Sequence, residues 1–245
     1  EDGDAIDLPA GFVTHEKIEF GHLNIGALAI AFEEEDGELL ALARLFAREL
    51  GGPLRMVSLV EESKRLATTD PLTGLANRRA FLAGFRTLLH ERRSDQAREV
   101  AALMLDVDHF KQINDNYGHA AGDLVLATLG GLLEGFVPGA ASPARWGGEE
   151  FVVSLDQTDF AQAIELAEEL CASIAALEIQ HDSELIPITA SIGVAAKRSG
   201  DTTDSIIDRA DRAMYLAKTS GRNRVCTEEM LSEGIEPPRD ARSSA

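Results

Sequence analysis

The chain has 245 residues, of which 44% are hydrophobic, so it can bury one large core and leave residues for a second, smaller unit. Its formal net charge of −19 comes from 42 acidic and 23 basic residues, and it argues against nonspecific nucleic-acid binding because a polyanion is held by basic patches. The 2 cysteines have neither metal-ligand spacing nor a disulfide framework, and no apolar run approaches roughly 18 residues, so we expect a cytoplasmic protein without a membrane span.

The first part of the chain, residues 1–50, has a strand pattern followed by a helix pattern. β-Branched and aromatic residues predict one or two strands up to Phe32, and an acidic turn then leads into leucines at helical spacing. Residues 51–53, Gly-Gly-Pro, should break or kink that helix. We assign residues 51–69, which begin with these three, to a signalling-helix linker. The pattern resembles the closing strands and last helix of a GAF-type sensor, and the compatible alternative is a helical dimerisation arm.

Residues 70–227 alternate between helix and strand patterns, which indicates one central sheet with helices around it. We predict helices over 77–93, 122–133, 160–177 and 204–218, strands over 100–106, 186–196 and 223–226, and a hairpin around 145–155. Residues 228–245 are acidic, rich in Pro, Arg and Ser, and poor in apolar residues, which predicts a disordered tail.

A carboxylate follows a buried strand pattern in the middle of the chain. Residues 100–105 form an almost continuous apolar run, and Asp106 follows them directly. Hard divalent ions such as Mg²⁺ use a few protein carboxylates together with phosphates and water, so Asp106 is a candidate metal ligand. Asp108 precedes a short helix pattern, and we expect it to cap that helix rather than to bind metal.

A second acidic site lies in the run RWGGEEF, residues 145–151. Gly147 and Gly148 lack a Cβ, so they can take positive φ and let a ligand lie against the backbone, while Glu149 and Glu150 project into the same space. An acidic glycine turn by itself is more often a solvated hairpin end. Together with Asp106, it becomes a candidate nucleotide and metal site.

The central region resembles the GGDEF domain of the diguanylate cyclase family, in its GGEEF variant, over roughly residues 70–227. The matching blocks are residues 70–79, 106–123, 145–151, 191–194 and 210–223. Separately spaced motifs in the same order are very unlikely to co-occur by accident. The resemblance implies an α/β (α+β) fold with a mostly antiparallel central sheet flanked by helices, related to the palm of nucleotidyl cyclases and polymerases. The pattern alone does not distinguish this fold from a doubly wound one.

The reaction that the resemblance implies is condensation of two GTP molecules into cyclic di-GMP with release of two pyrophosphates. Each 3′-hydroxyl attacks the α-phosphate of the other nucleotide. Because one domain holds one GTP, catalysis requires a homodimeric encounter of two loaded domains, and the signalling helix would control how often it occurs.

The resemblance also implies a role for each matching acidic position. Asp106, the backbone carbonyl of Val107 and Glu150 would hold Mg²⁺, with Mn²⁺ as an alternative ion. Glu149 would act as general base toward the 3′-hydroxyl or as a further metal ligand. The division of roles between the two glutamates stays open.

Matching basic and glycine positions would bind the phosphates. Lys111 lies where the family stabilises charge on the phosphates, and Lys218 and Arg222 would contact the terminal phosphates. Gly147 and Gly148 would admit the nucleotide.

Three further positions match residues that contact the base. Asn114 and Asp123 correspond to the guanine readers, although each could instead cap a helix end near a glycine. His119 contacts nucleotide or has a purely structural role.

Two charged residues near the start of the matching region have a structural interpretation. We expect Asp70 and Arg78 to tie the beginning of the domain to its body. That role involves ion pairs and no catalysis.

Two alternatives to an active diguanylate cyclase stay open: a catalytically silent GTP-binding module and a synthase of mixed cyclic dinucleotides. The presence of Asp106, Lys111, Glu149 and Glu150 favours activity, since silent modules usually lose the acidic turn. The carboxylate at Asp123 favours guanine over mixed products.

One family feature is absent from the sequence. Many members carry an Arg and an Asp, with two residues between them, shortly before the glycine pair, where bound product arrests the enzyme. Pro138 and Ala141 occupy those positions, so we expect no primary inhibitory product site.

Overall fold

The computed structural model describes residues 12–32, 36–91, 100–136 and 141–233. The chain divides into two compact units, Glu1–Leu66 and Ala67–Ala245.

The first unit contains an antiparallel hairpin and most of a long helix. The hairpin strands are β1 (Phe12–Phe20) and β2 (Leu23–Phe32), and the helix is α1 (Gly37–Thr68). The helix does not break at residues 51–53, because α1 continues through Pro53 as one helix of 32 residues, and the alternative of a kink there stays a prediction. Gly51 permits close packing instead: a Cβ there would lie 2.1 Å from the carbonyl oxygen of Glu19. Whether this unit derives from a GAF-type sensor stays a prediction.

The second unit contains the remaining elements. Its helices are α2 (Arg78–Glu91), α3 (Phe110–Tyr117), α4 (His119–Phe136), α5 (Phe160–Ala175) and α6 (Thr203–Thr219). Its strands are β3 (Ala76–Asn77), β4 (Val100–Val107), β5 (Ala141–Gly147), β6 (Glu150–Asp156), β7 (Ile179–His181), β8 (Glu184–Ile186), β9 (Ala190–Ala196) and β10 (Arg224–Thr227). A 3₁₀ helix, Met230–Glu233, follows β10.

Six strands form the central sheet in the order β10-β9-β4-β6-β5-β3. The four inner strands pair antiparallel, whereas each edge strand, β10 and β3, pairs parallel with its neighbour. The expectation of a mostly antiparallel sheet flanked by helices is therefore confirmed. β7 and β8 form a separate hairpin.

β4 lies at the centre of the sheet, and all its residues are buried. Because side chains alternate between the two faces of a strand, Ala101, Leu103 and Leu105 pack into the core with α4 and α5. Ala102 and Met104 pack into the second core, with α2 and α6. The alternation therefore directs the next even-numbered side chain, that of Asp106, toward the face that α6 covers.

α6 packs very closely against β9. A Cβ on Gly193 would lie 2.0 Å from the carbonyl oxygen of Ala210 and 2.2 Å from the backbone nitrogen of Met214. Only glycine allows this approach, which brings the C-terminal part of α6 to the end of β4.

Two further sequence expectations differ from the structure. The single strand predicted over 186–196 is two strands, β8 and β9, and the interruption begins at Pro187, which has no N–H to donate to a ladder. The tail predicted to be disordered from Glu228 is ordered at its start, because Glu228 is only 5% exposed and forms ion pairs with Arg198 and Arg209. The rest of that tail, residues 234–245, lies outside the described residues.

Candidate functional site

Asp106 lies near the end of β4 and is only 4% exposed. Its Oδ2 atom is 2.6 Å from Nζ of Lys218, which belongs to the last turn of α6. Burial raises the pKa of Asp106 to about 6, the charges of Glu149 and Glu150 add to that rise, and Lys218 opposes it. The structure thus places a cationic side chain against a carboxylate that burial and like charges make costly to ionise.

The glycine run forms the turn of the β5–β6 hairpin, as predicted. Gly147 pairs with Glu150 across the hairpin, and Gly148 takes a φ of 43° between them. The register shifts between Arg145 and Gly147, so a β-bulge precedes the turn. Because strands β4 and β6 pair antiparallel, Glu150 lies directly opposite Asp106.

Glu149 and Glu150 reach the end of β4 in different ways. The carbonyl oxygen of Glu149 accepts a hydrogen bond from the backbone N–H of Val107 at 3.3 Å. Burial raises the pKa of Glu150, and the nearby charge of Asp211 raises it further while Lys218 lowers it. A concentration of negative charge therefore surrounds the ends of β4 and β6.

Arg145 holds the glycine turn in place. Its Nε and Nη2 atoms donate to the carbonyl oxygen of Gly148 at 3.0 Å and 2.7 Å, and its Nη1 lies 3.1 Å from both carboxylate oxygens of Asp70. The expected ion-pair role of Asp70 is confirmed, with Arg145 as its partner. Arg78 instead lies over the indole ring of Trp146, 4.2 Å from its centroid.

The oxygen donors at this site suit a hard divalent cation, and the raised pKa values of Asp106 and Glu150 show that added positive charge would stabilise their ionised forms. Among the described residues, no three His, Cys, Asp or Glu side chains already converge as a metal cluster. Lys218 is the cationic group that contacts Asp106. The donor set therefore fits the ion chemically, and the side chains would have to rearrange around it.

Asp108 does not cap a helix, contrary to expectation. The N-cap of α3 is His109, which takes a left-handed φ of 56° and makes no side-chain cap bond. The Asp108 carboxylate instead accepts hydrogen bonds from Thr189 and Ser191 and from the backbone N–H of Asn223. Those donors lie about 80 or more positions further along the sequence, so no local pattern indicated them.

The predicted guanine readers lie where α3 packs on α4. A Cβ on Gly122 would be 2.0 Å from Oδ1 of Asn114, so the Asn114 side chain lies against the helix residue that precedes Asp123. Asp123 is exposed and lies inside α4 rather than at its N-cap. The structure therefore brings these two positions together and removes the capping alternative for Asp123. His119, the first residue of α4, is exposed.

The predicted phosphate-binding residues lie on three segments. Lys111 is exposed in the first turn of α3, Lys218 lies against Asp106, and Arg222 is exposed in the turn between α6 and β10. The structure brings Lys218 to the carboxylates. Gly147 and Gly148 are both exposed, and a Cβ at either would meet nothing within 4 Å, so open space adjoins the turn.

The positions of the missing inhibitory pair are only partly described. Ala141 begins β5, and Pro138 lies outside the described residues.

Comparison with known proteins places most of the second unit in one family. The model of the family "Diguanylate cyclase, GGDEF domain" matches residues 67–224. Diguanylate cyclase DgcP of Pseudomonas aeruginosa is 40% identical over 168 residues, which cover 69% of this chain and 25% of that protein. The response regulator PleD of Caulobacter vibrioides is 41% identical over 169 residues, which cover 68% of this chain and 37% of PleD.

A solved structure shows the same fold. The coiled coil and GGDEF domain of DgcB from Caulobacter crescentus, in complex with c-di-GMP, superimposes with a TM-score of 0.69 at 30% identity, covering 76% of this chain and 99% of that one. The chain spans only about a quarter to about a third of the length of the two curated relatives. In the part of the chain that the structure describes, no helix is long and apolar enough to span a membrane.

Proposed function

This chain belongs to the GGDEF family of diguanylate cyclases, and from that premise we propose that it condenses two GTP molecules into cyclic di-GMP and two pyrophosphates. The observation that carries the proposal is the meeting of Asp106, Glu150 and Lys218 at the ends of β4, β6 and α6. Carboxylates and a lysine at one point suit a triphosphate that arrives with a divalent cation.

Members of this family generally depend on a divalent metal, and the acidic residues of this site supply oxygen ligands for one. Asp106, Glu150 and the carbonyl of Val107 would hold Mg²⁺ or Mn²⁺. The chemistry supplied by such an ion is neutralisation of phosphate charge and activation of an attacking oxygen. Lys218, whose Nζ lies 2.6 Å from Oδ2 of Asp106, would contact a terminal phosphate of the nucleotide.

The remaining residues act on the nucleotide itself. Glu149 would accept the proton of the 3′-hydroxyl, Lys111 would stabilise charge on the phosphates, and Arg222 would contact the terminal phosphates. Asn114 and Asp123 would read the guanine edge, because a carboxylate accepts two donors that adenine lacks. Gly147 and Gly148 would leave room for the nucleotide against the backbone.

Each domain would hold one GTP, so we propose that catalysis occurs when two loaded copies of the chain meet face to face. The exposed apolar side chains of α1 are consistent with pairing of two such helices. They are Leu39, Leu42, Leu45, Phe46, Leu54, Met56, Val57, Leu59 and Val60.

Turnover of GTP, ATP and their equimolar mixture with Mg²⁺, with products resolved by mass, tests this function. We expect cyclic di-GMP from GTP and a preference for GTP over ATP of about a hundredfold or more. Glu149→Gln should lower the rate at least about a hundredfold, whereas Glu165→Gln, an exposed change on α5, should leave it unchanged.

The same assay separates the alternatives. GTP binding without any product would indicate a silent signalling module. Comparable yields of mixed and pure guanine products would indicate a mixed dinucleotide synthase. Full activity of Glu149→Gln would remove that residue from the mechanism.

A further inference from the structure

The turn between α6 and β10 has an unusual backbone. Gly221, Arg222 and Asn223 take positive φ values of 117°, 58° and 46° in succession. Glycine adopts such angles freely and asparagine tolerates them, but for arginine they are unfavourable. A conformation of this kind persists only where surrounding contacts hold it, and such positions cluster at functional sites.

Two contacts that hold the turn are local. The backbone N–H of Arg222 donates to the carbonyl of Ala217 at 2.9 Å, which closes the end of α6. The carbonyl of Arg222 accepts from Nε of Arg224 at 3.0 Å. Both partners lie within a few positions of the turn and would move together with it.

A third contact ties the turn to a distant segment, beside the weaker hydrogen bond from Sγ of Cys171 to Oδ1 of Asn223 at 3.7 Å. The backbone N–H of Asn223 donates to Oδ2 of Asp108 at 2.9 Å, across 115 positions of sequence. Asp108 directly follows β4, two positions after Asp106. This hydrogen bond therefore connects the turn that carries Arg222 to the strand that carries the central carboxylate of the site.

Asp108 is itself held firmly. It is 4% exposed, its Oδ2 also accepts from Thr189 at 2.7 Å, and its Oδ1 accepts from Ser191 at 2.7 Å. Its backbone N–H donates to the carbonyl of Thr189 at 2.9 Å. A buried carboxylate with several donors is a rigid anchor, because each donor restricts its rotation.

We infer that Asp108 is a positioning residue: it fixes the left-handed turn 221–223 so that Arg222 points toward the terminal phosphates of the bound nucleotide. The inference rests on the proposed function, which assigns Arg222 to those phosphates. Without the anchor, the left-handed turn would be held less firmly, and its backbone would direct the Arg222 side chain less strictly.

The test compares two nucleotides that differ in the phosphates Arg222 would contact. The α,β-methylene analogue of GTP cannot be condensed and carries the terminal phosphates, whereas GMP lacks them. Calorimetry would measure both affinities for the wild type, Asp108→Ala, Arg222→Ala and the double variant. Ser191→Ala is the matched control, since it removes one hydrogen bond to Asp108 and leaves the bond to Asn223.

We expect Asp108→Ala and Arg222→Ala each to weaken binding of the analogue about tenfold and to change GMP binding less than about twofold. The double variant should bind the analogue no more weakly than Arg222→Ala alone, because both changes remove one interaction. Ser191→Ala should weaken binding of the analogue less than Asp108→Ala does, because Oδ2 of Asp108 keeps its hydrogen bond to Asn223. If Asp108→Ala does not fold, Asp108→Asn replaces it and should show the same selective loss, about threefold, because one amide oxygen must serve several donors.

Equal losses for the analogue and GMP would make Asp108 a purely structural residue and overturn the inference. So would additive losses in the double variant, or a loss for Ser191→Ala as large as that for Asp108→Ala. If Arg222→Ala itself leaves the analogue unaffected, the phosphate role given to Arg222 under the proposed function fails, and the inference fails with it. A clear effect of Arg222→Ala without one of Asp108→Ala overturns the inference alone.

Discussion

At the scale of single residues, Asp106 is a carboxyl group that the fold makes costly to ionise. Its pKa rises from an ordinary 3.8 to about 6, chiefly through burial and further through Glu149 and Glu150. That difference corresponds to about 3 kcal/mol of unfavourable free energy in the ionised carboxyl at neutral pH. Lys218 offsets part of the cost, as its 2.6 Å contact shows, but does not remove it.

The protonation of Asp106 predicts the pH dependence of stability in chelator-treated protein. Between pH 3.8 and about 6 the folded state binds this proton more tightly than the unfolded chain does, so the contribution of Asp106 to the free energy of unfolding falls as pH rises. Above about pH 6, Asp106 is ionised in the folded state and lowers the free energy of unfolding by its full amount. Asp106→Asn should therefore flatten this part of the profile and should not lower Tm at pH 7.5.

Urea unfolding at several pH values, followed by circular dichroism, measures this dependence. The difference between the wild type and Asp106→Asn isolates the group from other titrating residues. A difference that is constant from pH 4 to pH 7.5 would contradict the prediction. Added Mg²⁺ should raise the midpoint of the wild type more than that of the variant, since the variant lacks one anionic ligand.

At the scale of elements, the β5–β6 hairpin depends on a clamp outside itself. Arg145 joins the Gly148 carbonyl to Asp70, which lies 75 positions earlier. Although burial alone would raise the pKa of Asp70, hydrogen bonds from Thr73 and Arg145 lower it below its ordinary value. The clamp thus fixes the glycine turn relative to the beginning of the domain.

Arg145→Ala should lower the free energy of unfolding by about 1–3 kcal/mol, because the partly buried Asp70 carboxylate loses its cationic partner and keeps only the hydrogen bonds from Thr73. It should also reduce GTP turnover through movement of the turn. Arg48→Ala, which removes an exposed ion pair with Glu49, is the control and should change stability by less than about 0.5 kcal/mol. Equal stabilities of the two variants in urea unfolding would show that the clamp has no energetic role.

A second network of contacts between elements lies at the end of the sheet away from the glycine turn, where Ala196 pairs with Ala101. The Glu228 carboxylate accepts from the backbone N–H of Ala196 at 3.0 Å and pairs with Arg209 and Arg198. Arg209 also pairs with Asp201 at 2.7 Å, just before α6. The network joins β9, β10 and α6, so it orders the residues that directly follow the sheet.

At the scale of the whole molecule, the predicted absence of a primary inhibitory site concerns regulation of the rate by the product. Many members of the family bind product at this site through a guanidinium and a carboxylate, and Pro138 and Ala141 supply neither. We therefore expect added product to leave the rate unchanged through this site, and calorimetry to show no submicromolar binding that depends on these two positions.

A gain-of-function variant sharpens this prediction. Pro138→Arg combined with Ala141→Asp should create product binding and inhibition, whereas either change alone should not, because both contacts are needed. Rates would be measured with and without added cyclic di-GMP. Submicromolar binding to the wild type that substitutions at Pro138 or Ala141 weaken, together with inhibition, would show the prediction to be wrong.

The sequence alone determined the main helices, the central buried strand and the acidic ends of β4 and β6, but not the short strands β3, β7 and β8. These features follow from local rules: side chains alternate along strands, apolar residues repeat along helices, and glycines mark tight turns. The resemblance to a known family then supplied the antiparallel order of the sheet, which periodicity could not distinguish from a doubly wound one. The residue roles at the site rest on that resemblance and stay predictions.

Only the tertiary structure decided which groups meet. Asp108 looked like a helix cap because its sequence neighbours suit one, yet its partners are Thr189, Ser191 and Asn223. Glu228 looked like the start of a disordered tail because its neighbours are polar, yet it is buried among arginines. Hydrogen bonds and ion pairs act over a few ångströms in space regardless of separation along the chain, so a local pattern cannot reveal partners that the fold brings together.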